Sequence, residues 1–145
     1  NNTVTLNNGA VGTVTAASAT SLTVTFSTNP TAAGSLTAIV TIGALNSGSA
    51  VQIADVRPVV TSSTSNLAAN AATITIAGDG FSTTPGNNLV TFNNGATGTV
   101  TAATSTSLTV TFGVKPTSAG SLTAIVTTNG VASGTALQVA TVLPV

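Results

Sequence analysis

Asn1–Phe26 reads NNTVTLNNGAVGTVTAASATSLTVTF, and Asn87–Phe112 reads NNLVTFNNGATGTVTAATSTSLTVTF. The blocks lie 87 − 1 = 86 residues apart, and the offset runs without a gap to the pair Val59/Val145. About two-thirds of the paired positions are identical, the signature of a tandem repeat of one folding unit. Within Ser21–Phe26 the residues Leu22, Val24 and Phe26 share one face, and Thr23 and Thr25 share the other. A period of two marks a half-buried strand. Threonine on the wet face keeps strand propensity without adding apolar surface.

Outward from this block the same pattern continues. Thr3–Leu6, Val11–Ala16, Ser35–Ile42 and Ala50–Val56 are predicted strands, separated by Asn7-Asn8-Gly9, Asn29-Pro30, Ala33-Gly34 and Ser47-Gly48. Such Asn, Gly and Pro clusters reverse the chain because they tolerate or fix turn dihedrals. The second copy adds Val59–Ser63 and Ala72–Ala77 ahead of the repeated block. No helical period occurs over any useful window. Seven short strands with closely spaced turns predict an all-β fold of tandem immunoglobulin-like antiparallel β-sandwiches, with no helices. Residues 58–145 read as one complete module. Residues 1–57 read as an incomplete one lacking its first strands, which about 27 residues ahead of Asn1 are expected to supply. Its sheet edges must be covered by those residues or by another chain.

Composition narrows the chemistry. Charged residues make up 3% of the chain, against about 25% in ordinary soluble domains. They are Asp55, Arg57, Asp79 and Lys115, and the net charge is zero. Cys, Met, Trp, Tyr, His and Glu are absent. No disulfide can form, so the fold rests on packing and strand pairing. General acid–base catalysis needs a titratable side chain beside the proton it moves, and Ser or Thr nucleophiles need an activating base. No enzyme activity is expected. Transition-metal sites need His, Cys or Glu, and calcium needs several oxygen ligands where Asp79 offers one carboxylate. No metal or cofactor is expected. Phosphate binding needs a basic cluster, so nucleic acid is excluded as a partner. Lys115, the single lysine, matches Asn29 in the first copy and has no Glu to assist, so no isopeptide cross-link is expected. No apolar stretch reaches membrane-spanning length.

The order Pro58-Val-Val-Thr-Ser, Ala72-Thr-Ile-Thr-Ile-Ala-Gly-Asp-Gly-Phe81, Asn87-Asn-Leu-Val-Thr-Phe92 resembles the IPT/TIG family of immunoglobulin-like domains. Ser107–Phe112 and Ala119–Gly130 extend the resemblance over Pro58–Val145 and, minus the opening strands, over Asn1–Arg57. Its most specific element is Gly78-x-Gly80-Phe81. The resemblance implies a non-catalytic module found in bacterial surface proteins, some carbohydrate-active enzymes, receptors and certain transcription factors.

Two sets of residues stand out. At the junction, Asp55, Arg57, Pro58 and Asp79 bring charges to a proline-stiffened link, and Arg57 is expected to pair with Asp79 or Asp55 and fix the angle between modules. Ile39 and Ile125 interrupt the polar face of their strands at equivalent positions, either covered by a loop or free for a partner. Near-identical, charge-poor copies without Lys or Glu on their edges weakly oppose pairing with one another. The expected function is a structural repeat of a long extracellular bacterial surface or filament protein, a spacer or a self-assembling fibre. Its expected partners are neighbouring modules and further copies. The alternatives are an adhesin module that binds glycan or host protein through its loops, and an accessory domain of an enzyme elsewhere in the parent chain.

Overall fold

The computed structural model describes Asn1 to Val145. Its regular elements are strands and one 3-10 turn at Pro85–Asn87; there is no α-helix. The chain divides into two compact units, Asn1–Thr31 with Ser35–Val56, and Ala32–Gly34 with Arg57–Val145.

The first unit contains β1 (Asn2–Leu6), β2 (Val11–Ala17), β3 (Leu22–Thr28), β4 (Gly34–Ile42) from Ser35 on, β5 (Leu45–Asn46) and β6 (Val51–Val56). Strand β4 pairs with β1, β5 and β6, and β2 and β3 form a separate two-stranded sheet. Register follows the apolar alternation, with Val4 opposite Val40 and Val14 opposite Val24. The Asn7-Asn8-Gly9 turn works as read, because Asn8 (φ 57°) and Gly9 (φ 69°) occupy the left-handed region that these residues tolerate.

The second unit adds β7 (Val59–Val60), β8 (Asn66–Ala68) and β9 (Thr73–Asp79). It then repeats the pattern as β10 (Asn88–Phe92), β11 (Thr97–Ala103), β12 (Ser107–Val114), β13 (Gly120–Thr128), β14 (Val131–Ala132) and β15 (Leu137–Leu143). One sheet runs β10-β13-β15-β8 with β14 beside β13, and the other runs β11-β12-β9-β7. All pairs in this unit are antiparallel except β15 with β8, where Val142 faces Leu67 in parallel register. Inward residues of both sheets form one core, in which Leu108, Val110, Leu122 and Val126 are fully buried. Ile74 and Ile76 of β9 lie opposite Val110 and Leu108 and close that core from the side.

Two local devices hold the β9 end in place. In Gly78-Asp79-Gly80-Phe81, the fully buried Phe81 ring and the Val59 carbonyl occupy the space that a Cβ on Gly78 would need. Gly80 takes φ 76°, and its N–H donates to Asp79 Oδ1 at 2.8 Å. The second device is buried Asn88. Its Oδ1 accepts from Ser82 N–H (3.0 Å) and Thr128 Oγ1 (2.9 Å), while Nδ2 donates to the Ser82 carbonyl (2.8 Å). One amide therefore ties the loop after β9 to the end of β13, with no charge involved.

Two stability outcomes follow, both read from denaturant unfolding of the second unit. Gly78→Ala is expected to destabilise it by about 1–3 kcal/mol through overpacking. Gly86→Ala, where nothing lies within 4 Å, is the control and leaves stability unchanged. Asn88→Ala strands the buried Ser82 N–H and Thr128 hydroxyl, at a cost of about 1–3 kcal/mol.

Candidate functional site

The residues singled out at the junction each have local work. Pro58 is buried and leads directly into β7. Asp55 is exposed and accepts from Gln52 Nε2 at 2.7 Å. The same i, i+3 bond recurs in the second copy, where Gln138 Nε2 donates to Thr141 Oγ1 at 3.1 Å. A register shift at this level of β15 brings side chains three apart onto one side, as a β-bulge does. Asp79 is exposed and carries the Gly80 turn. Arg57 is exposed, and its Nη1 lies 3.8 Å from where a Cβ on Gly134 would sit. Ile39 and Ile125 are half-buried, with Thr5 and Thr91 as their cross-strand neighbours. They sit among threonines on the outward side of their sheets.

The two copies differ along one strand. Strand β3 has β2 as its one strand partner, whereas its counterpart β12 is flanked by β11 and β9. Ser21–Phe26 and Ser107–Phe112 are the same six residues, so a difference in their burial reflects surroundings and not composition. Leu108 and Val110 are fully buried, while Leu22 and Val24 are half-exposed. Phe112 is 9% exposed and Phe26 42%. The reading of Phe26 as core-facing gives its direction correctly, but the face it points into is uncovered. Moreover, Phe112 packs against Phe92 with ring centroids 5.5 Å apart and the rings tilted at 47°, and Leu6 stands at the Phe92 position in the first copy. On β6, Ile53 is 58% exposed where its counterpart Val139 is 5% exposed. Ile42 and Leu45 add further apolar surface beside a depression lined by Val40, Asn46 and Ser47.

The Asn88 network escapes a reading of strand periodicity, because it joins a loop to a strand 40 residues on. One signal for it exists in the repeat alignment, where Thr128 is matched by Ile42 at an otherwise apolar-for-apolar strand end.

Chemically the surface offers backbone edges, hydroxyls, amides and apolar side chains. No group of three His, Cys, Asp or Glu comes together, and no helix is long and apolar enough to cross a membrane. Such a surface can pair strands and bury apolar area.

The family model described as IPT/TIG domain matches residues 58–142. A crystal structure of domains 4 and 5 of the S-layer protein SbsC is similar at 22% identity and a TM-score of 0.33, covering 98% of this chain and 70% of that one. A search of curated proteins finds no match. With more than half of its residues accounted for by that family model, and with the Gly78-x-Gly80-Phe81 turn closing a β-sandwich, the chain belongs to the IPT/TIG domain family.

Proposed function

We propose that the chain is a structural repeat of a long extracellular bacterial surface or filament protein, serving as a spacer or a self-assembling element. The observation that carries this reading is the second unit. It is a closed sandwich whose polar groups are spent on its own turns and strand ends, repeated at 86 residues and bearing almost no ions. In repeat arrays each unit contacts chiefly its neighbours, so length grows by duplication without new chemistry. Non-catalytic behaviour fits the absence of His, Cys and Glu from the sequence, since no hydroxyl here has a base to activate it. At the junction, a buried Pro58 with Arg57 just before it supports a restricted link between repeats.

Electron microscopy of the native material tests the proposal. Extended fibres or layers with an axial repeat set by the module support it. Isolated globules that bind a glycan or host-protein array saturably overturn it. A second expectation concerns salt. Because only four side chains are charged, unfolding midpoints and any self-association should hold constant between about 0.05 and 1 M NaCl, a range over which screening abolishes surface ion-pair effects. Light scattering and thermal unfolding read this, and a steep salt dependence contradicts it.

A further inference from the structure

We propose that Asn129 is a spontaneous deamidation site of the second unit: the Gly130 nitrogen closes on the Asn129 side chain, and water then leaves an acid that no longer holds Ala33. This goes beyond the structural-repeat reading and does not rest on it.

The sequence contains three Asn-Gly pairs, Asn8-Gly9, Asn94-Gly95 and Asn129-Gly130. In each, the following residue has no side chain to shield its nitrogen, so the three pairs start chemically alike. In the reaction the glycine nitrogen attacks the side-chain Cγ and gives up its proton. The Cγ–Nδ2 bond breaks, and Nδ2 leaves as ammonia. Water opens the resulting cyclic imide at either carbonyl, giving aspartate or isoaspartate. No electrons are exchanged, and water is the co-reactant. The amide must swing onto the following nitrogen, so whatever fixes the amide slows the step.

Two of the pairs are fixed. Asn94 is half-buried, and its Oδ1 accepts from Thr117 Oγ1 (3.1 Å), Ser118 N–H (3.2 Å) and Ser118 Oγ (2.9 Å). Its Nδ2 donates to the Ser118 carbonyl at 2.7 Å. Thr117 Cγ2 lies 3.0 Å from where a Cβ on Gly95 would sit, so the glycine is covered as well as the amide. The first copy repeats the cover. Asn8 Oδ1 accepts from Thr31 Oγ1 at 3.1 Å, and Thr31 Cγ2 lies 2.7 Å from the Cβ position of Gly9.

Asn129-Gly130 differs on each count. It has no counterpart in the first copy, where Gly43-Ala44 stand at the aligned positions. Both residues are exposed, and nothing lies within 4 Å of a Cβ built on Gly130. They close the hairpin between β13 and the two-residue β14 at φ 50° and 83°, the conformation for which Asn-Gly is favoured. A hairpin arm this short opens locally at low cost. One side-chain bond holds the amide, from Nδ2 to the Ala33 carbonyl at 2.8 Å. Deamidation removes that donor and sets a carboxylate against the same carbonyl, in a chain whose net charge is otherwise zero. Ala33, buried in the second unit, then keeps its N–H bond to the Gly80 carbonyl at 2.7 Å and loses the other.

The test ages the whole chain in mildly alkaline buffer and follows each pair by peptide mapping and mass spectrometry. Asn129 is expected to convert at least about tenfold faster than Asn94 or Asn8, a ratio that a few neutral hydrogen bonds account for. In urea the three should convert at similar rates, which assigns the difference to the fold. Thr117→Val should speed conversion of Asn94 and leave Asn129 as it was. In Asn129→Asp, which carries the product side chain, amide exchange should quicken at Ala33 and hold at Val110. Conversion of Asn94 or Asn8 as fast as Asn129 in the folded chain overturns the proposal. So does an Asn129 that stays intact when folded and converts when unfolded, and so does unchanged exchange at Ala33 in Asn129→Asp.

Discussion

The pairing of β9 with β12 is the interaction on which a closed module depends. The chain carries its own control, since the six residues Ser107–Phe112 recur as Ser21–Phe26 in a unit where no such strand lies alongside. Fully burying a side chain such as Leu, Val or Phe contributes about 1.5–3 kcal/mol. The three apolar positions Leu108, Val110 and Phe112 thus hold several kcal/mol that Leu22, Val24 and Phe26 realise only in part. For a domain of this size, whose net stability is a small difference between large terms, that difference is a large share of what holds a sandwich closed.

With four ions in 145 residues, amides do the work that charges do elsewhere. Asn7 Oδ1 accepts from Thr37 N–H at 2.7 Å, and Asn93 Oδ1 accepts from Thr123 N–H at the same distance. Thr31 Oγ1 reaches Asn8 Oδ1 and Thr117 Oγ1 reaches Asn94 Oδ1, each at 3.1 Å. The duplication has preserved these staples together with the strands they join. Neutral hydrogen bonds of this kind contribute about 0.5–1.5 kcal/mol each and are indifferent to salt. A surface made this way remains wettable through hydroxyls while offering little electrostatic resistance to a neighbouring copy.

Much of the fold was legible because it is local. Alternation in Ser21–Phe26 and Ala72–Ala77 marks strands and their inward faces, Asn-Gly pairs mark reversals, and the 86-residue offset marks the module. What escaped is non-local. Asn66–Ala68 has no alternation long enough to read, and becomes β8 only because β15 lies parallel beside it. The two-residue strands β5 and β14 likewise exist through pairing with β4 and β13. Asn88 carries no mark in the strand pattern and is a buried clasp whose partners, Ser82 and Thr128, lie far apart in sequence. At the candidate site, the positions of the apolar residues were readable, but their exposure was not. Phe26 and Phe112 are indistinguishable by local pattern, and only the strand beside each tells them apart. Asp55 and Asp79 read as junction charges, while the bonds they make are local ones to Gln52 and to the Gly80 turn, which no spacing announces.

Amide hydrogen exchange on the intact chain tests the central claim most directly, since identical residues can be compared within one molecule. The N–H groups of Leu108, Val110 and Phe112 point toward β9, and those of Leu22, Val24 and Phe26 point toward the open edge. If strand pairing at this edge is what closes the module, the former should exchange at least about 100-fold more slowly than the latter, a span within the range between local opening and global unfolding. Equal protection at the two sets would contradict it.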